Sequence, residues 1–280
     1  MSNRWHSPKH VLLVLLFLEL PLAISGCAIL SKVMINEQGR QVRCGASGVG
    51  VIGTPAAAIV YQQCVDRYRS LGFMELEEFD QKDGPKVELR AGMVPPPTNA
   101  PRWGTLRTWT FHNRGTSVFS SVEFVRKENI DGTPAYVLKT IENREVVVNE
   151  ELNPLQIREK GEAVSKYVPP RQDYSWPLEV GKSWVAQGTV ERQGGKQNIY
   201  QFVEVTAYGI VRVPAGEFEA FHIIRTGGDG RRLIELWYAP QAGHHVKITQ
   251  YFKEGRTILE LVSLRRSNEE RSGTMVKKPL

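Results

Sequence analysis

Residues 199–205 read Ile199-Tyr200-Gln201-Phe202-Val203-Glu204-Val205, and residues 257–261 read Thr257-Ile258-Leu259-Glu260-Leu261. Apolar and polar side chains alternate in both, the period of a strand with one buried and one wetter face. Similar runs flank them: Trp184–Gln193, Gln197–Val213, Glu217–Thr226, Arg231–Tyr238, Val246–Phe252 and Thr257–Leu264. Turn formers such as Gly194-Gly195, Pro214-Ala215-Gly216 and Lys253-Glu254-Gly255 divide them. Upstream, Val118 to Val125, Tyr136-Val137-Leu138 and Glu145-Val146-Val147-Val148 continue the pattern. Short runs punctuated about every 8–12 residues predict a mainly β fold. The expected architecture is a curved antiparallel sheet, or an incomplete barrel or sandwich, preceded by a short N-terminal helical segment. Short connections favour a meander of hairpins, and the stretch 149–178 is expected to carry short strands of its own.

The N-terminus has a different character. Arg4 and Lys9 precede an apolar run from Val11 to Phe17, which continues from Leu20 to Ile24 despite Glu19. A charged segment, then an apolar one, then small residues is the layout of a secretory signal. The run is shorter than the roughly 20 apolar residues of a membrane-spanning helix. It ends Ile24-Ser25-Gly26-Cys27. That tetrad resembles the lipobox of bacterial lipoproteins. The resemblance implies cleavage between Gly26 and Cys27, with fatty acyl groups of the palmitate class on Cys27. Several chains together anchor firmly, at about 0.8 kcal/mol per buried methylene. Ala28 rather than Asp follows, which points to the outer membrane, facing the periplasm, in a host that has one.

Cys44 and Cys64 remain once Cys27 is assigned to lipid. An even pair in an oxidising envelope is expected to form a disulfide. Closing a loop of about 20 residues would stabilise the fold by roughly 3 kcal/mol in the chain-entropy picture. Inside the loop, Gly48-Val49-Gly50-Val51-Ile52-Gly53 matches a dinucleotide-binding fingerprint. That fingerprint needs a buried strand leading in, and Asn36 to Arg43 is polar. The expectation is a glycine-rich loop and a short helix over Ala56–Tyr68, with Pro55 in its first turn and Gly72 at its end.

The domain plan follows: a signal over 1–26, a tether over 27–80, a proline-rich linker over 81–102, a β domain over 103–266 and a basic tail over 267–280. Pro95-Pro96-Pro97 can join neither a helix nor a sheet interior. The net charge is +6, but most charges of both signs are interspersed, and the one basic concentration is terminal. No aromatic-rich basic motif accompanies it, so nucleic acid is not an expected partner.

Three stretches of the β domain stand in order: Trp176-Pro177-Leu178-Glu179-Val180-Gly181-Lys182-Ser183-Trp184, Val213-Pro214-Ala215-Gly216-Glu217-Phe218, and Leu236-Trp237-Tyr238-Ala239-Pro240-Gln241-Ala242-Gly243. They resemble a family of uncharacterised bacterial exported β-sheet proteins, many of them lipoproteins. The resemblance implies the curved sheet and no reaction. His244 and His245 depart from it, standing where an apolar residue is commoner.

For chemistry the chain offers little. Adjacent His244 and His245 on a strand would face opposite ways and could hardly share a metal. His222 and Glu235, on neighbouring strands, are a candidate acid–base pair or a plain polar contact. No nucleophile elbow and no His-Glu-x-x-His motif occurs. The expectation is a non-enzyme without cofactor or metal. Trp176, Trp184, Trp237, Tyr238 and Tyr251 either fill a core or line a concave pocket for a hydrophobic ligand. Two functions are therefore expected from this sequence. One is an envelope lipoprotein, held on the membrane by its N-terminal lipid, that binds or assembles with a protein partner. The other is a carrier of a lipid or similar molecule.

Overall fold

The computed structural model describes residues 27–83, 95, 97–103, 107–140 and 144–266. The stretch read from the sequence as a signal, including Gly26, and the stretch read as a basic tail lie outside them. Strands β1 (Cys27–Ile35) and β2 (Gln41–Val49) lead into helix α1 (Gly50–Ser70). Strand β3 (Met74–Glu75) and helix α2 (Leu76–Asp83) follow. The first three strands form one sheet in the order β2-β1-β3. The chain divides into two compact units, one holding residues 27–31 with Cys44–Arg67, the other Lys32–Arg43 with the chain from Tyr68 onward.

In the smaller unit, Cys44 and Cys64 are joined as a disulfide. The glycine-rich loop expected there is instead the end of β2, and the helix begins at Gly50, six residues earlier than expected. Two glycines explain the difference. Gly50 takes a left-handed φ of 75° at the strand–helix junction. A Cβ on Gly48 would lie 1.9 Å from the Gly53 carbonyl oxygen, so only glycine lets the chain pass that closely. A strand does therefore precede the fingerprint, against expectation. It is an edge strand of a three-stranded sheet, not the buried parallel strand a dinucleotide fold requires. Gly72 ends the helix as expected, with φ 82° and its N–H on the Arg69 carbonyl.

The larger unit is a closed barrel. Its strands are β4 (Arg107–Asn113), β5 (Phe119–Ile130), β6 (Thr133–Thr140), β7 (Arg144–Asn149), β8 (Pro154–Glu159) and β9 (Glu162–Val168). They continue as β10 (Ser183–Arg192), β11 (Gly195–Val213), β12 (Gly216–Gly227), β13 (Arg232–Ala239), β14 (His244–Tyr251) and β15 (Arg256–Arg266). Each strand pairs antiparallel with the next, and β15 returns to β4 through pairs such as Leu264↔Trp109. The meander of hairpins is as expected, as are the short strands within 149–178. The sheet is more closed than the incomplete barrel expected, because closure satisfies both edge strands at once.

Twelve strands can enclose an open lumen. Here large side chains occupy the core: Trp103, Trp109, Phe111, Phe221, Trp237 and Tyr238 are each 1% exposed or less. Connections add to it. Trp103 precedes β4, and Tyr174 and Leu178 lie between β9 and β10. The hairpin of β11 and β12 shifts register between Val205 and Ala207, and near its tip the Ala215 N–H donates to the Leu261 carbonyl. The N-terminal pieces of the unit join the barrel by specific bonds. The Gln41 amide pairs both backbone groups of Arg232, at 2.7 and 2.9 Å. Ile35 and Phe79 pack with Tyr251.

Candidate functional site

The connection from β9 to β10 carries Arg171-Gln172-Asp173-Tyr174-Ser175-Trp176. Asn153, just before β8, holds it in place: its side-chain amide accepts from the Tyr174 N–H at 2.8 Å and donates to the Tyr174 carbonyl at 3.2 Å. Arg171 donates twice to Asp173, at 2.6 and 2.7 Å, and Arg225 reaches the same carboxylate at 3.2 Å. Trp176 stacks on Tyr174 with centroids 5.1 Å apart, meets Tyr238 edge-on at 5.3 Å, and donates its indole N–H to the Glu151 carbonyl.

Trp176 borders a cleft of about 930 Å³ whose other walls include Arg102, Lys127, Tyr136, Glu150 and Glu151. The end of the proline-rich stretch forms one side, tied down where Thr98 and Leu178 exchange backbone bonds of 3.3 and 2.8 Å. Lys127 places its ammonium 5.4 Å from the Tyr136 ring centre. Burial pushes the Tyr136 hydroxyl up, and the Glu150 carboxylate adds to that. The cleft thus presents both signs of charge beside two aromatic rings. Apolar-ligand pockets have mainly hydrophobic walls with few polar groups, which this one does not.

Behind Trp176, the Tyr174 hydroxyl bonds to His245 Nε2. Burial pushes the hydroxyls of Tyr174 and Tyr238 up. His244 stacks on Trp109 at 4.7 Å. The rings of His244 and His245 are only 4.9 Å apart, so they do not point to opposite faces as expected. The register shift between Trp237 and Tyr238, opposite the start of β14, breaks the alternation there. Burial holds the His244 ring at about 4, and burial with nearby His244 and Arg225 holds His245 well below the usual imidazole range. Among the described residues, no three metal-ligating side chains cluster.

The five aromatics singled out from the sequence do not come together around one cavity. Trp176 borders the cleft, and Tyr238 lies behind it. Trp184 is partly buried and donates to the Gln172 carbonyl at 2.9 Å. Trp237 is fully buried, stacked on His222 at 4.3 Å. Tyr251 belongs to a separate cluster and donates to Glu235 at 2.7 Å. His222 and Glu235 do meet, at 3.5 Å, but Glu235 also accepts from Arg232 at 2.6 Å. Burial alone would raise the Glu235 carboxyl, while His222, Arg232 and Tyr251 hold it down at about 2. Such a carboxylate is a poor proton acceptor near neutral pH, and the pair sits in a buried ion network rather than a cleft. Sequence reasoning missed Asn153, Asp173, Tyr174 and Arg225. The signal available was an aromatic and charged hexapeptide, 171–176, set between prolines.

No protein-family model matches this chain, and no curated protein matches it. Among solved structures it is similar to the hypothetical lipoprotein YmcC of Escherichia coli, at 7% identity, covering 57% of this chain and 85% of that one, with a TM-score of 0.35. It is also similar to a Bacteroides fragilis protein described as exported and YmcC-like in fold, at 13% identity over 61% of this chain and 98% of that one, TM-score 0.32. A Parabacteroides distasonis protein described as a lipoprotein gives 11% identity over 61% and 97%, TM-score 0.26.

Proposed function

We propose that this chain is a non-catalytic, lipid-anchored protein of the bacterial cell envelope, whose barrel binds a protein partner at the Trp176 cleft. The carrying observation is the contrast between core and cleft. Trp103, Trp109, Trp237 and Tyr238 fill the core, leaving the side chains a carrier would use already engaged with one another. The cleft offers Arg102, Lys127, Glu150 and Glu151 around Tyr136 and Trp176, a mixture suited to a polar protein segment. Arg, Tyr and Trp are the residue types that contribute most at protein interfaces. The anchor rests on Ile24-Ser25-Gly26-Cys27 at the end of a secretory signal, and the paired Cys44 and Cys64 suit an oxidising compartment. Ala28 after the anchor favours the outer membrane, facing the periplasm.

The test is site-specific photo-crosslinking in the native host. A benzophenone side chain replaces Lys127 at the cleft, or Tyr200, an exposed barrel residue outside it, as control. A discrete protein adduct is expected from position 127, absent from position 200 and lost when Trp176→Ala is added. Stoichiometric lipid released from the purified native barrel, with no adduct at 127, would overturn the reading in favour of a carrier.

A further inference from the structure

The barrel closes where β15 meets β4, and at one end of that seam Arg266 stands directly opposite Arg107. Arg107 alternates with Trp109 and Phe111 along β4, so it shares their inward face, and Arg266 shares that face as Leu264 does opposite Trp109. Like charges directly opposed in a sheet repel. Among the described residues neither arginine meets a carboxylate. Burial, and then Arg266, hold the Arg107 guanidinium below its usual range, with Tyr238 opposing them. Arg266 donates to the Gln241 carbonyl at 3.1 Å. A third donor lies beside them. Trp103 is buried against Trp109, Phe124 and Tyr136, with ring centres 5.3, 5.5 and 5.1 Å away. Among the described residues, neither its indole N–H nor the Arg107 Nε–H has a hydrogen-bond partner. A Cβ on Gly243 would lie 3.1 Å from Trp103 Nε1 and 3.2 Å from Arg107 Nη1, so both donors border the space that the glycine leaves open. Buried donors are ordinarily paired, and an orphan N–H calls for an acceptor.

We propose that this end of the barrel binds a phosphate group, held by Arg107, Arg266 and the Trp103 indole N–H. The site is separate from the protein-binding reading of the Trp176 cleft and does not depend on the Cys27 anchor. Charge selects the ligand. Two guanidinium groups without an acid suit about two negative charges, which a phosphate monoester carries near neutral pH. A single carboxylate would leave one arginine unmatched. Geometry agrees, because a guanidinium fork donates to a pair of phosphate oxygens, and a tetrahedral group keeps a further oxygen for the indole. Arg266 is exposed and Arg107 partly buried, so the ligand reaches the site from solvent at the strand ends, with buried Trp103 as its floor. Inorganic phosphate and the headgroup of phosphatidic acid offer this same chemistry.

The test is the melting temperature of the native protein in an uncharged detergent, with chloride, inorganic phosphate or phosphatidic acid added at equal ionic strength. A ligand that binds only the folded chain raises it, and a rise of about 5 °C over chloride is expected at saturating ligand. A rise with inorganic phosphate marks a site for the free group, and a rise with phosphatidic acid alone marks a lipid headgroup. Either supports the site when Arg107→Gln and Arg266→Gln each abolish it. Trp103→Phe keeps a ring in the core and removes the N–H, so about tenfold more ligand should be needed for the same rise. Arg266 is exposed at a strand end, so its variant carries the test even where Arg107→Gln does not fold. A rise that persists in the arginine variants is the general effect of an excluded salt and overturns the site. The absence of a rise with both ligands overturns it as well.

Discussion

Arg232 on β13 grips Asp80 on α2 with two hydrogen bonds, of 2.7 and 2.8 Å, and the same guanidinium donates to Glu235 at 2.6 Å. The arginine is buried with Glu235, while the Asp80 side chain is 38% exposed. One cation thus neutralises a buried carboxylate and ties α2 to the barrel wall.

That asymmetry makes the two ends of the bridge unequal. Arg232→Ala leaves the buried Glu235 carboxylate without its arginine, with only the Tyr251 hydroxyl and the His222 ring beside it, and is expected to cost about 3 kcal/mol. Asp80→Ala removes a partner that water can replace, and about 1 kcal/mol is expected. Urea denaturation of both variants checks the order, and equal losses would show that Glu235 does not depend on Arg232.

Acid should unfold the barrel in two stages. His244 titrates near 4 in the folded chain against about 6.5 unfolded, so between those values the unfolded chain binds more protons. Stability is therefore complete above pH 6.5 and falls as pH drops, by about 2 kcal/mol between pH 7 and 5 from this residue. His245 shifts in the same direction and adds to the loss. Glu235, held at about 2, contributes stability that is lost only below pH 4.5. His244→Phe keeps a ring against Trp109 and cannot take up the proton. Its stability should fall less steeply between pH 7 and 5, and an unchanged slope in urea titrations would assign the acid sensitivity elsewhere.

The barrel strands were legible because alternation such as Ile199 to Val205 has only one structural meaning. Closure was not, since Leu264 finds Trp109 across most of the barrel sequence, and no local pattern encodes that register. The same holds for Gln41, whose partner Arg232 is 191 residues away. Trp237 and Tyr251 read as pocket candidates from their type alone. Their burial is decided by what covers them, His222 for one and Ile35 with Phe79 for the other. His244 and His245 misled for a narrower reason, because strict alternation fails at a register shift. The disulfide was legible because reading Cys27 as the lipid site left Cys44 and Cys64 to pair.

In the smaller unit, the fingerprint glycines should respond differently to alanine. At Gly50 nothing lies within 4 Å of an added Cβ, so Gly50→Ala meets only the left-handed backbone and should cost about 1 kcal/mol. At Gly48 the new methyl would collide with the Gly53 carbonyl, and backbone must move. Gly48→Ala should therefore loosen the start of α1. Hydrogen exchange at residues 50–57 is the measurement: Gly50→Ala should speed exchange only at the strand–helix junction and Gly48→Ala throughout the first turns of α1, and equal protection in the two variants would show that the Gly48–Gly53 approach does not hold the start of the helix.

Asn153 connects stability to the cleft. Its side chain satisfies both backbone groups of Tyr174, and its own N–H is held by Asn149 at 2.8 Å. Asn153→Ala leaves the buried Tyr174 amide and carbonyl without partners, which should cost about 2–3 kcal/mol. Trp176 stacks on Tyr174, so the cleft wall should loosen with it. Asn153→Asp separates the effects: it can still accept from the Tyr174 N–H but cannot donate to the carbonyl. Indole fluorescence quenching by acrylamide, measured against a Trp176→Phe reference, should rise in the order wild type, Asn153→Asp, Asn153→Ala. If quenching stays level while stability falls, the connection is held by Arg171, Asp173 and Arg225 instead, and the cleft is independent of Asn153.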